Sequence, residues 1–241
     1  MELKEIIQYA RGDKVARLLL RNARLINVLS GEIYRTNVAI TQSRIVGIGD
    51  YDAEEIIDLD GAYLAPGFID AHVHIESSMV PPIEFARAVV PRGTTTVITD
   101  PHEIANVLGL DGIRFMFDSA KGAPLSMYVM ASSCVPATSM ETSGAVLHSY
   151  DLAPLQSDPW VLGLAEVMNF PGVIHRDSEV LKKIEAYSSL VIDGHCPGLS
   201  GKDLGAYIAA GISSDHECTS VEEAAEKLRL GLTIFIREAT N

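Results

Sequence analysis

The chain has 241 residues, enough for one large domain or for one domain with a small appendage. Its 19 lysines and arginines stand against 32 aspartates and glutamates, and the net charge of −13 argues against nucleic acid and anionic membranes as partners. Three widely spaced cysteines without a CxxC motif indicate reduced thiols. Because the N-terminus lacks a signal-peptide core and no apolar window approaches the roughly 20 residues of a membrane span, we expect a cytoplasmic protein.

The first 65 residues have the pattern of a small β unit. The stretches ARLINVLSGEIYRTNVAITQSRIVGIGD and EEIIDLDGAYLAP are short β-like runs interrupted by Ser-Gly, Asn and Gly-Asp turn signals. We predict a short helix over residues 2–11, followed by antiparallel strands that form a small β-sandwich-like unit. The first domain is therefore expected to span residues 1–65.

Residues 66–241 alternate between strand and helix patterns. The predicted strands are Gly67–His74, Thr94–Asp100, Leu125–Ser132, Val161–Val167, Leu190–His195, Gly211–His216 and Leu232–Glu238. The predicted helices are Pro82–Val90, Glu103–Ala120, Ser178–Ser188, Lys202–Ala210 and Val221–Leu230, the last opened by a capping box of Thr219 and Glu222. Repeated βα units with apolar strands favour a parallel sheet. A (β/α)8 barrel has eight strands and about 250 residues of its own, so we predict an α/β fold with an incomplete TIM-like barrel of about seven strands.

Two histidines mark the end of the first predicted barrel strand, in GFIDAHVHIESS. The side-chain period of two places His72 and His74 on one face of the strand, a few ångströms apart. A pair of polar residues at a strand end is the simpler interpretation. A chelate for a metal ion is the alternative, because imidazole is a common metal ligand.

Histidines also follow other predicted strands of the barrel. Five of the seven histidines and one carboxylate fall at these C-terminal ends, namely His72, His74, His102, His195, His216 and Glu166. A single histidine of this kind is usually a hydrogen-bonded core residue, but five at one rim predict a common site. Imidazole and carboxylate ligands suit zinc, manganese or iron(II), and two such ions about 3.5–4 Å apart can share one carboxylate.

The motif LAPGFIDAHVHIESS resembles the opening strand of the amidohydrolase superfamily. The strings TTTVITDPHEIANVLG, LGLAEVMNFPGV, VIDGHCPGLSGKDLGAYIAAGISSDHECTS and GLTIFIREAT resemble the bacterial and archaeal adenine deaminase family, in the same order. The resemblance implies that His72, His74, His195 and His216 bind two divalent metal ions bridged by Glu166. Dihydroorotases and hydantoinases use a carboxylated lysine as the bridge, and LGLAEV offers no lysine there.

Membership of that family implies hydrolytic removal of the 6-amino group of adenine, which gives hypoxanthine and ammonia. It also implies manganese or iron(II) as the metal, with zinc as the third choice. The reaction needs a proton at the ring and another at the leaving amine. Candidate catalytic residues are Glu217, His102 and Glu103, although Glu103 could instead favour a helix start through its dipole and Glu217 could be a solvated loop charge. Glu76 and Ser77 are candidates for hydrogen bonds to a ring edge.

One part of the family pattern is missing from the sequence. Amidohydrolases carry an aspartate after strand eight, whereas this sequence ends at Asn241, just after predicted strand seven. We expect a fragment, one piece of a two-chain enzyme or a degradation product, with impaired activity. Open strand edges predict a homo-oligomer or a missing C-terminal portion as partner. Two alternatives to adenine deamination remain: another cyclic amidohydrolase, or an inactive metal-binding fragment that assembles with a partner.

Overall fold

The computed structural model describes residues 2–237 of the chain. The chain divides into two compact units, Met1–Gly67 and Phe68–Asn241. Among the described residues, no helix combines the length and the apolar character that a bilayer crossing requires.

The first unit contains one helix and one sheet. The helix is α1 (Leu3–Ala10), and the strands are β1 (Ala16–Asn27), β2 (Glu32–Thr41), β3 (Arg44–Ile48), β4 (Ala53–Asp58) and β5 (Tyr63–Leu64). The strand order is β3-β2-β1-β4, and β5 also pairs with β1. Strands β1, β2 and β3 are antiparallel neighbours, whereas β4 and β5 run parallel to β1.

This sheet corrects the prediction of an antiparallel, sandwich-like unit. The described residues of the unit form a single mixed sheet, because β4 returns beside β1 in the same direction. Alternation of apolar and polar residues determines which face of a strand is buried, but it does not determine the direction of the neighbouring strand. One small cluster of buried apolar residues in the unit consists of Ala16, Leu19, Ala39 and Val46.

The second unit alternates strands and helices. Its strands are β6 (Phe68–Val73), β7 (Thr94–Thr99), β8 (Ser126–Ala131), β9 (Val161–Val167), β10 (Val191–Gly194), β11 (Ser214–Asp215) and β12 (Thr233–Ile234). Its α-helices are α2 (Pro82–Val89), α3 (His102–Leu108), α4 (Leu110–Ala120), α5 (Ser149–Leu152), α6 (Phe170–Ile174), α7 (Ser178–Ala186), α8 (Gly201–Ala209) and α9 (Val221–Arg229). Short 3₁₀ segments cover Ile75–Ser78, Val90–Arg92 and Ala153–Ser157.

All strand pairs of the second unit are parallel. Strands β6 to β10 form one sheet in sequence order, and β11 pairs with β12. The amide of Ser213 donates to the carbonyl of Ile192 at 3.0 Å and so joins the segment before β11 to β10. Because each strand runs in the same direction, all their C-terminal ends lie at one edge.

Several predicted helix ends are displaced by one or two residues, and two further features of the helices differ from the prediction. The predicted helix Glu103–Ala120 is two helices, because Gly109 adopts a left-handed φ of 61° between α3 and α4. The last helix begins at Val221 as predicted and ends one residue early, at Arg229; its N-cap is Ser220, which accepts a hydrogen bond from the amide of Glu223. The sequence pattern identified this helix, but it misplaced the capping pair of Thr219 and Glu222 by one residue.

The last two strands are shorter than predicted. Only Ser214–Asp215 and Thr233–Ile234 have strand geometry, and Glu238 of the predicted seventh strand lies outside the described residues. Helices α5 and α6 occur in connections where the sequence pattern predicted no helix. Both are short, at 4 and 5 residues, and so carry too few turns for a clear apolar period.

The core of the second unit lies between the strands and the helices that follow them. Strand residues Val97, Val129 and Leu164 are fully buried, and Tyr187 and Tyr207 pack into the same cluster. Burial of each large apolar side chain contributes roughly 1.5–3 kcal/mol. This packing holds the strand ends, and the polar residues on them, in fixed positions.

Candidate metal centre

The five predicted metal ligands all lie at the C-terminal ends of strands in the second unit. His72 is within β6 and His74 follows it, while Glu166 is the penultimate residue of β9. His195 comes directly after β10, and His216 comes directly after β11. Because these strands are parallel, the ligands share one edge.

The carboxylate of Glu166 is the centre of this cluster. The Nε2 atoms of His72 and His74 lie 3.1 and 2.9 Å from its Oε1 atom. The Nδ1 atom of His195 and the Nε2 atom of His216 lie 2.8 and 3.3 Å from its Oε2 atom. The structure therefore places one imidazole pair on each oxygen, and both His195 and His216 point toward the pocket that holds His72.

Curling of the strand series brings the two pairs together. The rings of His72 and His216 stack with their centroids 4.0 Å apart. Their strands, β6 and β11, belong to different sheets and are separated in sequence by four other strands. A flat sheet would keep two such strands far apart, because neighbouring strands lie about 4.8 Å from one another.

The donor set fits divalent cations. The Oε1 atom of Glu166 and both ring nitrogens of His216 are buried without a hydrogen-bond partner among the described residues. Buried polar atoms normally have such partners, so these atoms leave bonding capacity for a ligand. Glu166 and His216 are only 2% and 4% exposed. Nitrogen and oxygen donors of this kind suit zinc, manganese or iron(II).

The electrostatics of the cluster favour positive charge. Burial opposes ionisation of Glu166, but the four imidazoles around it, those of His195, His216, His72 and His74, prevail and hold the pKa of its carboxyl far below the usual range. Burial likewise disfavours the charged form of His74, yet the adjacent Glu166 carboxylate and the charge of Asp100 raise its pKa to about 9. A buried carboxylate that holds protons on its neighbours also attracts metal cations.

Asp100, which follows β7, supports the first imidazole pair. Its carbonyl oxygen lies 2.8 Å from Nδ1 of His74, so that Nδ1–H can donate and Nε2 is left to face Glu166. Its carboxylate lies 2.8 Å from Nδ1 of His102 and accepts a 2.7 Å hydrogen bond from Ser132. Histidines that bind metals usually donate their second nitrogen in this way, which fixes the ring orientation.

The predicted catalytic residues lie at different distances from the cluster. His102 is close, with Nδ1 3.9 Å from Oε1 of Glu166. Glu217 is at the other side, where its Oε1 atom is 4.0 Å from Nδ1 of His195 and 3.9 Å from Nε2 of His216. Glu217 also forms an ion pair with Arg237. Glu103 is exposed, and its carboxylate accepts a hydrogen bond from Ser77.

Glu76 has a structural contact in this region. Its Oε1 atom accepts hydrogen bonds from the amides of Glu103 and Ile104 at the start of α3. Burial raises the pKa of its carboxyl above the usual value, although the hydrogen bond from the amide of Ile104 works in the opposite direction. The remaining histidines, His148 and His175, lie at the ends of α5 and α6.

Sequence reasoning did not identify the residues that support the second imidazole pair. These are Asp215, Tyr207 and Lys227, all fully buried. The hydroxyl of Tyr207 accepts a 3.0 Å hydrogen bond from the amide of His195 and donates to the carbonyl of Val167 at 2.7 Å. A tyrosine and a lysine in helices look like ordinary surface residues in the sequence. Only Asp215, directly before His216, gave a signal that could have been used.

Residues 63–238 match the sequence model of the Amidohydrolase family. The chain is 57% identical over its whole length to an adenine deaminase of Kosmotoga olearia, and 55% identical over 99% of its length to one of Clostridium acetobutylicum. In each case it spans 42% of the relative's length. The resemblance to adenine deaminases predicted from the motifs is confirmed.

Solved structures share the fold at low sequence identity. An N-acyl-D-glutamate deacylase of Bordetella bronchiseptica, complexed with zinc and a phosphonate inhibitor, aligns with a TM-score of 0.62 at 17% identity, over 92% of this chain and 58% of that one. A dihydroorotase aligns with a TM-score of 0.54 at 11% identity, over 90% and 64%. These likenesses confirm an α/β fold with a curled parallel sheet. The family match, which covers the whole histidine cluster, establishes that this chain belongs to the amidohydrolase family.

Proposed function

We propose that the protein represented by this chain removes the 6-amino group of adenine by hydrolysis, which yields hypoxanthine and ammonia. The observation that carries the proposal is the placement of one imidazole pair on each carboxylate oxygen of Glu166. The adenine deaminases that are more than half identical to this chain supply the substrate class. Overall, water adds at C6 as the bond from C6 to the amino nitrogen breaks.

The residues that would hold the metals are His72 and His74 on one side and His195 and His216 on the other. Glu166 would be shared between the two cations, because each of its oxygens faces one pair. Two divalent ions bound by these residues would supply a water molecule that is nucleophilic at neutral pH. Manganese or iron(II) is the proposed metal, from the resemblance to adenine deaminases, with zinc as the third choice.

The chain's own residues would move protons at the rim of this centre. His102 is held by Asp100 close to the first imidazole pair, and Glu217 lies beside the second pair. We assign two proton transfers to this pair of residues. One delivers a proton to the ring nitrogen, and the other delivers a proton to the leaving amine. Glu103 remains a third candidate, although its carboxylate accepts a hydrogen bond from Ser77 and is exposed.

The seven parallel strands that the structure describes in the second unit support the assignment of residues 66–241 to an incomplete (β/α)8 barrel, which follows the β unit of residues 1–65 in the sequence. A purine is the proposed small-molecule partner. A homo-oligomer or a C-terminal portion is the proposed protein partner.

Elemental analysis and an adenine assay test the proposed function. The chain is purified alone, and also together with the remaining 58% of the Kosmotoga olearia adenine deaminase, because it spans 42% of that relative. We expect two metal equivalents and ammonia release from adenine, both lost in His72→Ala, with no ring opening of hydantoin or dihydroorotate. Ring opening would identify another cyclic amidohydrolase. Bound metal without turnover in either preparation would identify a metal-binding module.

A further inference from the structure

A buried lysine lies behind the second imidazole pair. Lys227 is on α9, and its side chain is 0% exposed. Its ammonium group donates to the carbonyl oxygen of Cys196 at 2.7 Å, to Oδ2 of Asp215 at 2.7 Å and to Oε1 of Glu223 at 2.6 Å. All three N–H donors of the lysine are therefore used.

Two of these partners are direct sequence neighbours of proposed metal ligands. Cys196 follows His195, and Asp215 precedes His216. The Oδ1 atom of Asp215 also accepts a 2.9 Å hydrogen bond from the amide of Cys196. The lysine and the aspartate thus hold both the amide and the carbonyl of Cys196, and they connect the segments that carry the two histidines.

The same helix makes further contacts with these segments. Glu223 accepts hydrogen bonds from the amides of Gly198 and Thr219, at 2.7 and 3.0 Å. Glu226 accepts one from the amide of Gly201 at 2.8 Å. The segments that follow β10 and β11 are therefore both hydrogen-bonded to α9. Of the three α9 side chains that make these bonds, Lys227 is fully buried, whereas Glu223 and Glu226 are partly exposed.

This network is not a further cation site. Asp215, Cys218 and Glu223 have ligand atoms close enough to one another to hold a metal ion. However, the ammonium of Lys227 bonds to both carboxylates of that group and supplies its positive charge. The ion pair is also a weak source of stability. When a buried ion pair is replaced by apolar side chains of similar volume, the free energy of unfolding is often unchanged or higher.

We propose that Lys227 is a positioning residue for the second half of the metal centre. It fixes the segments that carry His195 and His216, and so sets the affinity for the cation that faces Oε2 of Glu166. The inference rests on the proposed dinuclear centre. In the described residues, the first pair, His72 and His74, shares no hydrogen bond or ion pair with this network, so its affinity should not depend on Lys227.

The test is a Mn²⁺ titration of the purified chain, in which free Mn²⁺ is measured by electron paramagnetic resonance. For Lys227→Met we expect about 10-fold weaker binding of one of two ions and unchanged binding of the other. Lys182→Met removes the same charge from an exposed position on α7 and should match the wild type. Ile113→Ala, in the core on α4, is the control for lowered stability without contact to the site.

The outcomes separate the inference from the proposed function. Unchanged binding of both ions in Lys227→Met, or equal weakening in Ile113→Ala, overturns the positioning role. If Lys227→Met does not fold, the double variant Lys227→Met/Asp215→Asn is titrated instead. It removes both charges of the Lys227–Asp215 ion pair, and the same weakening is expected. Failure of both variants to fold assigns the network to folding and also overturns the inference. Absence of Mn²⁺ binding in the wild-type chain contradicts the proposed centre itself.

Discussion

The two imidazole pairs of the site are built in different ways. His72 and His74 are two residues apart at the end of β6, and Asp100 bonds directly to the ring of His74. His195 and His216 come from two strands, and both ring nitrogens of His216 lack a hydrogen-bond partner among residues 2–237. The second pair is held instead through the backbone, by Tyr207, Asp215 and Lys227.

This difference shows where the site is sensitive to distant packing. The geometry of a single strand, β6, is enough to bring His72 and His74 together. The second pair depends on the spacing between β10 and β11 and on helices α8 and α9. Substitutions in those elements should therefore affect one cation more than the other, whereas a substitution at the shared carboxylate should affect both.

Glu166→Gln is expected to have the largest effect, because it removes the charge that both pairs face. We expect fewer than one metal equivalent and a loss of adenine deamination greater than the roughly 10–100-fold that changes around a metal site typically cost. Elemental analysis and ammonia release measure the two effects. Glu103→Gln, at an exposed position, is the control for metal content, and retention of two equivalents in Glu166→Gln would contradict the shared role.

Gly194→Ala should disturb the second pair by separating its strands. A Cβ atom at this position would lie 2.1 Å from the carbonyl oxygen of Ser214 and 2.7 Å from Cγ2 of Ile212. We expect a loss of about 1–3 kcal/mol in the free energy of unfolding, as for other overpacked positions, with weaker binding of one cation. Urea unfolding and Mn²⁺ titration measure these changes. Equal weakening of both cations would argue against independent halves.

Tyr207→Phe and Tyr187→Phe form a matched pair of buried hydroxyl deletions. Loss of the Tyr207 hydroxyl leaves the amide of His195 and the carbonyl of Val167 without that partner, and should cost about 1–3 kcal/mol of stability. Within the described part of the chain, the Tyr187 hydroxyl bonds only to the carbonyl of Leu152, at 2.7 Å, and its loss should cost about 1 kcal/mol. Only Tyr207→Phe should weaken metal binding. The same metal affinity in both variants would contradict the comparison.

Gly205→Ala should have the smallest effect, and of opposite sign. The position lies within α8, and a Cβ atom there would have no heavy atom within 4 Å. Alanine is favoured over glycine in a helix by about 0.5–1 kcal/mol, so the free energy of unfolding should rise by that amount. Thermal unfolding measures it, with metal affinity expected to stay at the wild-type value. A fall in stability would show that α8 packs more tightly at this point than the structure indicates.

Much of the second unit could be predicted because several of its strands and helices are regular. The strand ending at His74 and the helix after Ser220 have clear apolar periods and turn signals, so their existence was predicted and only their ends were displaced. The break at Gly109 and the parallel return of β4 were missed. Both depend on how segments pack against neighbours, which a local pattern does not record.

The sequence by itself determined that imidazoles and one carboxylate follow successive strands, since the period of a strand and the common direction of βα units place them at one edge. The tertiary structure alone decided that the two pairs face opposite oxygens of Glu166 and that a buried ammonium supports one of them. The physical reason is that curling of the sheet and burial of Lys227 arise from packing between residues distant in sequence, and no local preference specifies either.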